Sequence, residues 1–301
     1  MLLYPGVGED CSAVEVAKDE VLVFSVDPIT AAGKGAGTFA VHITVNDLVS
    51  SGAEPIGLML SILLPPRTRE KKLREMMQEI ELACSGLAIE VMGGHTEISG
   101  VVNCPVITVT GVGKVKKDVL LPTGGLMPGD ELVMTKWAGI EGTAVIAMEK
   151  REKLLETLPE ELVDTAAGFS QYLSVVPEAA VAMGVGVSAM HDVTEGGIFG
   201  ALWEMGAASD VGLTVDLKKI PIRQETIEVC EVFEINPYKL MSSGSMLIGC
   251  KYGNLLVEEL EKNGISAAVI GRANETNDRI IVNGDEKRFL EPAGSDELYK
   301  L

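Results

Sequence analysis

The sequence predicts an α/β (α+β) protein of two domains, and three observations predict it. Its 301 residues are enough for two ordinary domains with sizeable cores. Apolar, β-branched runs alternate with helically spaced ones along both halves. Between Lys114 and Pro128 the pattern breaks at Leu121-Pro122-Thr123-Gly124-Gly125 and Met127-Pro128-Gly129-Asp130, a turn-rich stretch. The division falls at 120/121, giving domains 1–120 and 121–301.

In the first half, Val21–Val26 reads as a strand ending at Asp27-Pro28, and Thr38–Ser50 as a helix carrying Phe39, Val41, Val45 and Leu48. Ile56–Leu64 is a second strand, closed by Pro65-Pro66. Arg69–Cys84 places Leu73, Met76, Met77, Ile80 and Ala83 on one helical face with charges opposite. Ile89–Met92 and Val106–Val112 read as buried strands. In the second half, Glu131–Thr135 is a strand, and helices are expected at Thr143–Leu158, Glu161–Val175, Gly197–Ala208 and Leu255–Asn263. Ile280–Val282 and Lys287–Leu290 suggest a hairpin around Asn283-Gly284.

Composition excludes several classes. A formal charge of −19 argues against nucleic acid, whose phosphates need a cationic surface. It also makes any nucleotide site depend on metal ions to neutralise the carboxylates around it. The five cysteines are scattered, with no Cys-x-x-Cys pair, against a zinc ribbon or a disulfide framework. No apolar run reaches the roughly 20 residues of a membrane span, and the start lacks the basic and apolar regions of a signal peptide. A cytoplasmic protein is the expectation.

Three acidic motifs stand early: Gly8-Glu9-Asp10-Cys11, Ser25-Val26-Asp27-Pro28 and Val45-Asn46-Asp47-Leu48. Mg²⁺ takes one or two carboxylates together with phosphate and water, and Asp10, Asp27 and Asp47 are short carboxylates of that kind. Asp27 is the sharpest, because a carboxylate directly after an apolar strand needs a partner. Turn and cap chemistry is the plain alternative for each. Gly93-Gly94-His95-Thr96-Glu97 follows a strand. There Gly93 and Gly94 let backbone pass close to a ligand, His95 offers a proton donor or phosphate contact, and Glu97 a metal ligand or base; a solvated glycine turn is the alternative. In His191-Asp192-Val193-Thr194-Glu195-Gly196-Gly197, Thr194 reads as an N-cap, while Gly196 and Gly197 leave the first helical amides open to phosphate. A merely well-capped helix is the alternative there. Ala32-Gly33-Lys34-Gly35-Ala36-Gly37 fails as a P-loop, since Gly35 stands where Ser or Thr is needed. It reads as a ligand-covering loop with Lys34 as a phosphate contact.

Taken in order, these motifs resemble the AIR synthase-related (PurM-like) superfamily. Gly8-Glu9-Asp10, Asp27-Pro28-Ile29-Thr30, Asn46-Asp47-Leu48 with Ser51-Gly52-Ala53-Glu54-Pro55, and Gly93–Glu97 match its N-terminal half. Gly129-Asp130, Gly139-Ile140-Glu141-Gly142-Thr143 and His191–Gly197 match its C-terminal half. The branch most similar is that of the hydrogenase maturation protein HypE. The resemblance implies two α/β domains, with the N-terminal sheet pairing with that of a second subunit into a barrel and ATP bound near the interface. It implies Mg²⁺ held by Asp10, Asp27 and Asp47 with Asn46 and Glu97 assisting, Gly33–Gly37 over the nucleotide, and Asp192–Gly197 facing phosphate or substrate. Catalysis would rest on His95, Glu97 and Asp192. The implied activity is phosphoryl transfer from ATP to an amide- or acid-type oxygen of a small substrate or carbamoyl-type group, in a homodimer that meets a maturation partner protein. An accessory maturation protein with little turnover, or a small-metabolite kinase, are the other readings. HypE differs in ending in a cysteine, where this chain ends Asp296-Glu297-Leu298-Tyr299-Lys300-Leu301, and relatives carry more sequence before the first motif.

Overall fold

The computed structural model describes residues 2–3, 6–30, 35–292 and 294–301. The chain divides into two compact units: Met1–Pro5 with Asp10–Leu120, and Gly6–Glu9 with Leu121–Leu301. The first acidic motif is therefore split, with Gly8 and Glu9 counted in the second unit and Asp10 in the first.

Unit 1 holds one five-stranded sheet in the order β1-β2-β5-β3-β4. Its elements are β1 (Ser12–Ala17), β2 (Glu20–Ile29), α1 (Ala36–Ser50), β3 (Glu54–Leu64), α2 (Glu70–Gly86), β4 (Glu90–Ile98) and β5 (Val106–Lys116). The β3–β4 pair is parallel and is bridged by α2; the other pairs are antiparallel. Alternation sorts the two faces. Val21, Val23 and Ser25 of β2 and Ile107 and Val109 of β5 are buried, on the side where α1 packs. A core of Leu3, Cys11, Ala13, Val21, Val23, Leu48, Ala53 and Val115 forms there. The opposite face leaves Val26 (59% exposed) and Met59 (49%) in the open, in register through Thr110.

Two strands run further than the sequence suggests. β2 continues through Asp27-Pro28 to Ile29, because Pro28 lies opposite Thr108 within the ladder rather than ending it. β4 takes in the whole Gly93–Glu97 motif, which is strand and not a turn after a strand. The close approach of β3 explains the glycine: a Cβ on Gly94 would stand 2.1 Å from the Leu60 carbonyl oxygen.

Unit 2 holds a seven-stranded mixed sheet, β12-β11-β8-β10-β6-β9-β7. The strands are β6 (Glu131–Thr135), β7 (Ala189–Asp192), β8 (Gly212–Asp216), β9 (Met246–Cys250), β10 (Ala267–Asn274), β11 (Arg279–Asn283) and β12 (Glu286–Phe289). The helices are α3 (Ile140–Glu149), α4 (Arg151–Leu154), α5 (Glu160–Ala167), α6 (Val176–Val185), α7 (Gly197–Ala208), α8 (Gln224–Phe233) and α9 (Gly253–Lys262). The helix expected over Thr143–Leu158 is two, broken at Lys150, and the one expected over Glu161–Val175 gives way to a 3-10 turn from Gly168. α7 packs into the main core through Ile198, Leu202 and Met205, beside Leu213 and Leu247 of the sheet. A second core gathers Ile146, Leu154, Val163, Val229 and Leu240, with Leu298 and Leu301 packed against it. All five cysteines are free thiols, and burial pushes the Cys230 and Cys250 thiols up to about 12 and about 11. No helix among the described residues is long and apolar enough to cross a membrane.

Candidate functional site

In unit 1 the site is built where β2 passes under α1. Ser25 and Asp27 lie two residues apart on β2, so both side chains point to the helix-covered face. Asn46 and Asp47 lie on α1, both buried. The Ser25 hydroxyl donates to Asp47 Oδ2 and stands 3.3 Å from Asp27 Oδ2. One hydroxyl carries one hydrogen, so it cannot donate to both carboxylates at once. Two carboxylates that share this hydroxyl repel each other, and a cation between them would relieve that repulsion. Next to Asp10, the Cys11 thiol donates to the Asp47 carbonyl at 3.3 Å. The exposed Asp10 carboxylate is itself not gathered with those of Asp27 and Asp47 into one ligand group.

The glycine loop before α1 is arranged differently from its sequence reading. Glu79, on α2, takes the Gly35 amide at 3.0 Å on one oxygen and the Gly37 amide at 3.1 Å on the other. The helix start is thus engaged by an internal carboxylate, a fit of anion to amide donors. Lys34 and Gly33 lie outside the described residues.

His95 and Glu97 are not gathered with Asp27 and Asp47. His95 lies opposite Ser61, and Ser61 opposite Thr108 and Pro28, a row that shares the open face of the sheet. Asp27 belongs to the row of Val109 and Leu60 on the covered face. The physical reason is the strand itself: once Gly93–Glu97 is extended, alternation turns His95 and Glu97 outward together, their side chains 3.4 Å apart.

In unit 2, His191 and Asp192 end the edge strand β7 and are buried. His191 Nε2 lies 3.1 Å from Glu204 Oε2 on α7, which ties the strand to the helix that follows it. Thr194 is not the cap of α7. That position belongs to Gly196, in the left-handed region at φ 77, and Thr194 instead accepts the Gly197 amide through its carbonyl at 3.1 Å. Gly197 is also left-handed (φ 59), and a Cβ there would stand 2.6 Å from the Leu240 carbonyl oxygen. The Gly196 amide is not open either: it donates to Asp296 Oδ2 at 2.7 Å. The amides expected to be uncovered at Gly196 and Gly197 are both engaged within the unit.

Sequence reasoning missed Ser25, Glu79, Glu141 and Asp296. Glu79 lies on a helix face that reads as solvated charge, and Asp296 reaches Gly196 from 100 residues away. Glu141 lies in the first turn of α3, where burial, with Asp296 and Glu195 nearby, raises its carboxyl to about 7. Ser25 had a signal, since a serine two residues before Asp27 in a strand shares its face, and Glu141 stood within the Gly139–Thr143 motif without a role of its own.

Comparison with known proteins agrees with this arrangement of elements. The model of the AIR synthase related protein N-terminal domain matches residues 8–115, and that of the C-terminal domain residues 127–283. The carbamoyl dehydratase HypE of Cupriavidus necator is 30% identical over 230 residues, 75% of this chain and 62% of that protein. The HypE of Rhodobacter capsulatus is 26% identical over 283 residues, 89% of this chain and 81% of that protein. Among solved structures, a HypE–HypF complex matches with a TM-score of 0.80 at 22% identity, covering 90% of each chain. A HypE in complex with ATP matches at 0.77 and 20% identity, covering 92% of this chain and 86% of that one. At such identities the structures speak for the fold. With both halves of the chain matched by its domain models, this protein belongs to the AIR synthase-related family.

Proposed function

We propose that this chain is an ATP- and Mg²⁺-dependent enzyme of the HypE kind, transferring a phosphoryl group to an amide- or acid-type oxygen of a small substrate. One observation carries the reading: Asp27 and Asp47 converge on the single hydroxyl of Ser25. Hard oxygen donors, two of them carboxylates, suit Mg²⁺, and the donor set fits the ion. When bound, Mg²⁺ supplies neutralisation of the phosphate charge, which is most of what such transfer asks of a protein. That neutralisation matters more in a chain of net charge −19, which otherwise repels a nucleotide.

On this reading Asp27 and Asp47 hold the ion, and Ser25 fixes the Asp47 carboxylate. Asn46 is buried beside them. The His191–Glu204 pair positions the end of β7, and with it Asp192. His95 and Glu97, on the open face, act at the junction with a second copy of the chain. The exposed Val26 and Met59 give that copy an apolar surface, and pairing two such faces closes the sheets into a barrel. The solved HypE–HypF complex supports a further protein partner for this chain, and the solved HypE–ATP complex supports the nucleotide.

Calorimetric titration of MgATP into wild type, Asp27→Asn and Asp47→Asn tests the reading. Loss of a carboxylate ligand is expected to weaken binding by more than about tenfold in each variant, with circular dichroism unchanged. Equal binding in all three proteins rejects it.

A further inference from the structure

Residues 294–301 run back across unit 2 and are anchored at several points. Asp296 is fully buried. Its carboxylate accepts from the amides of Gly196 (2.7 Å), Leu298 (2.8 Å) and Met241. Met241 in turn offers its carbonyl to the Gly142 amide of α3 at 2.9 Å. The segment thus joins the starts of α3 and α7. Further along, Tyr299 donates to Glu195, Lys150 donates to the Leu301 carbonyl at 2.9 Å, and Leu298 and Leu301 lie on the second core.

The charges under this segment are of one sign. Glu141 from α3, Glu195 from the β7–α7 turn and Asp296 from the segment itself act on one another, with the Tyr299 phenol beside them and Ser243 favouring the charged form of Glu141. Burial raises the Asp296 carboxyl as well as that of Glu141. A neutral Glu141 leaves two carboxylates to be accommodated, and an ionised one leaves three.

We infer that residues 294–301 form a pH-sensitive strap over the amino end of α7, held down while Glu141 keeps its proton and loosened when Glu141 ionises. The sign follows from linkage. With the strap down Glu141 lies at about 7, raised first by burial and also by the charge of Asp296 that the strap brings. Release removes that charge, so the strapped state holds the Glu141 proton more tightly, and strapping weakens as pH rises toward about 7. Above that the weakening is complete. Release frees the Gly196 amide, the one Asp296 now occupies. The strap stands independently of the ATP reading; only the consequence that a phosphate gains access to α7 rests on it.

The test is hydrogen–deuterium exchange of the full chain without nucleotide at about pH 5.5 and pH 8, corrected for intrinsic exchange. Peptides covering 190–200 and 294–301 report the strap. Protection is expected to be about tenfold lower at the higher pH, one unit of pKa difference between strapped and free states being tenfold in the equilibrium. Glu141→Gln, neutral at both pH values, is expected to stay protected at both. Equal protection of the wild type at the two pH values overturns the inference, whether or not the variant folds. So does a Glu141→Gln protein that keeps the full pH dependence.

Discussion

Ser25 and Asp47, from a strand and the helix that follows it, are joined by a hydrogen bond from the serine hydroxyl to the Asp47 carboxylate. The bond is buried at both ends, and a second carboxylate, Asp27, shares the same hydroxyl. Two carboxylates that meet at one hydroxyl repel each other, and a cation between them would relieve that repulsion.

Thermal unfolding with and without Mg²⁺ follows from this. The ion binds only the folded chain, so saturating Mg²⁺ should stabilise wild type by about 2–3 kcal/mol at a hundredfold excess over its dissociation constant. Asp47→Asn removes one of the two facing charges. Its melting temperature without Mg²⁺ should equal or exceed that of wild type, and its response to Mg²⁺ should disappear. An undiminished response would place the ion elsewhere.

Gly197→Ala should destabilise unit 2 by at least about 1–3 kcal/mol, the cost of holding a non-glycine residue in a disfavoured backbone region. The contact with the Leu240 carbonyl oxygen adds to it, because neither backbone can yield easily. Chemical denaturation measures the difference; a loss below about 0.5 kcal/mol, the range of neutral surface changes, would mean that the α7 start relaxes freely.

The buried pair Lys136–Glu178 gives a third prediction. Lys136 Nζ lies 2.5 Å from Glu178 Oε1 and donates to the carbonyls of Tyr172, Ser174 and Gly244 at 3.1, 2.7 and 2.7 Å. Glu178→Ala leaves a buried ammonium without its counter-charge and should cost about 3–5 kcal/mol. Burial holds the Lys136 ammonium below its ordinary 10.5, against the pull of Glu178. The unfolded chain therefore binds more protons in the alkaline range, and Lys136's contribution to stability should rise as pH climbs toward 10.5. In Glu178→Ala the ammonium loses that pull, so the rise should begin at lower pH; denaturation from pH 7 to 10 reads it.

Met59→Arg, on the open face of unit 1, should abolish self-association. Sedimentation velocity is expected to show a dimer for wild type and a monomer for the variant, since the substitution sets a charge in the middle of the apolar surface. A monomeric wild type would contradict the barrel.

Much of this was legible in the sequence because burial and alternation coincide. The apolar, β-branched run Val21–Val26 announces a strand, and the apolar face of α2 announces its helix. Other parts were illegible for stated reasons. Gly93-Gly94 looked like a turn because glycine is the usual turn residue, yet Gly94 is there so that β3 can pass close by. β1, with Glu15 and Val16 both exposed, shows a periodicity too weak to mark a strand. β7 is four residues long, and all four are buried, so it has no alternation to read. At the site, Asp27 could be singled out as a carboxylate needing a partner, and Asp47 as a short carboxylate suited to a metal. The anions seated on the two helix starts could not, because Glu79 lies 44 residues from Gly35 and Asp296 lies 100 from Gly196.

The most direct test of the central claim is a crystal structure with Mn²⁺ in place of Mg²⁺ and a non-hydrolysable ATP analogue, the metal located by its anomalous scattering. A peak is expected about 2–2.3 Å from carboxylate oxygens of both Asp27 and Asp47, bridged to phosphate oxygens. A well-ordered nucleotide whose metal lies away from both carboxylates would contradict it.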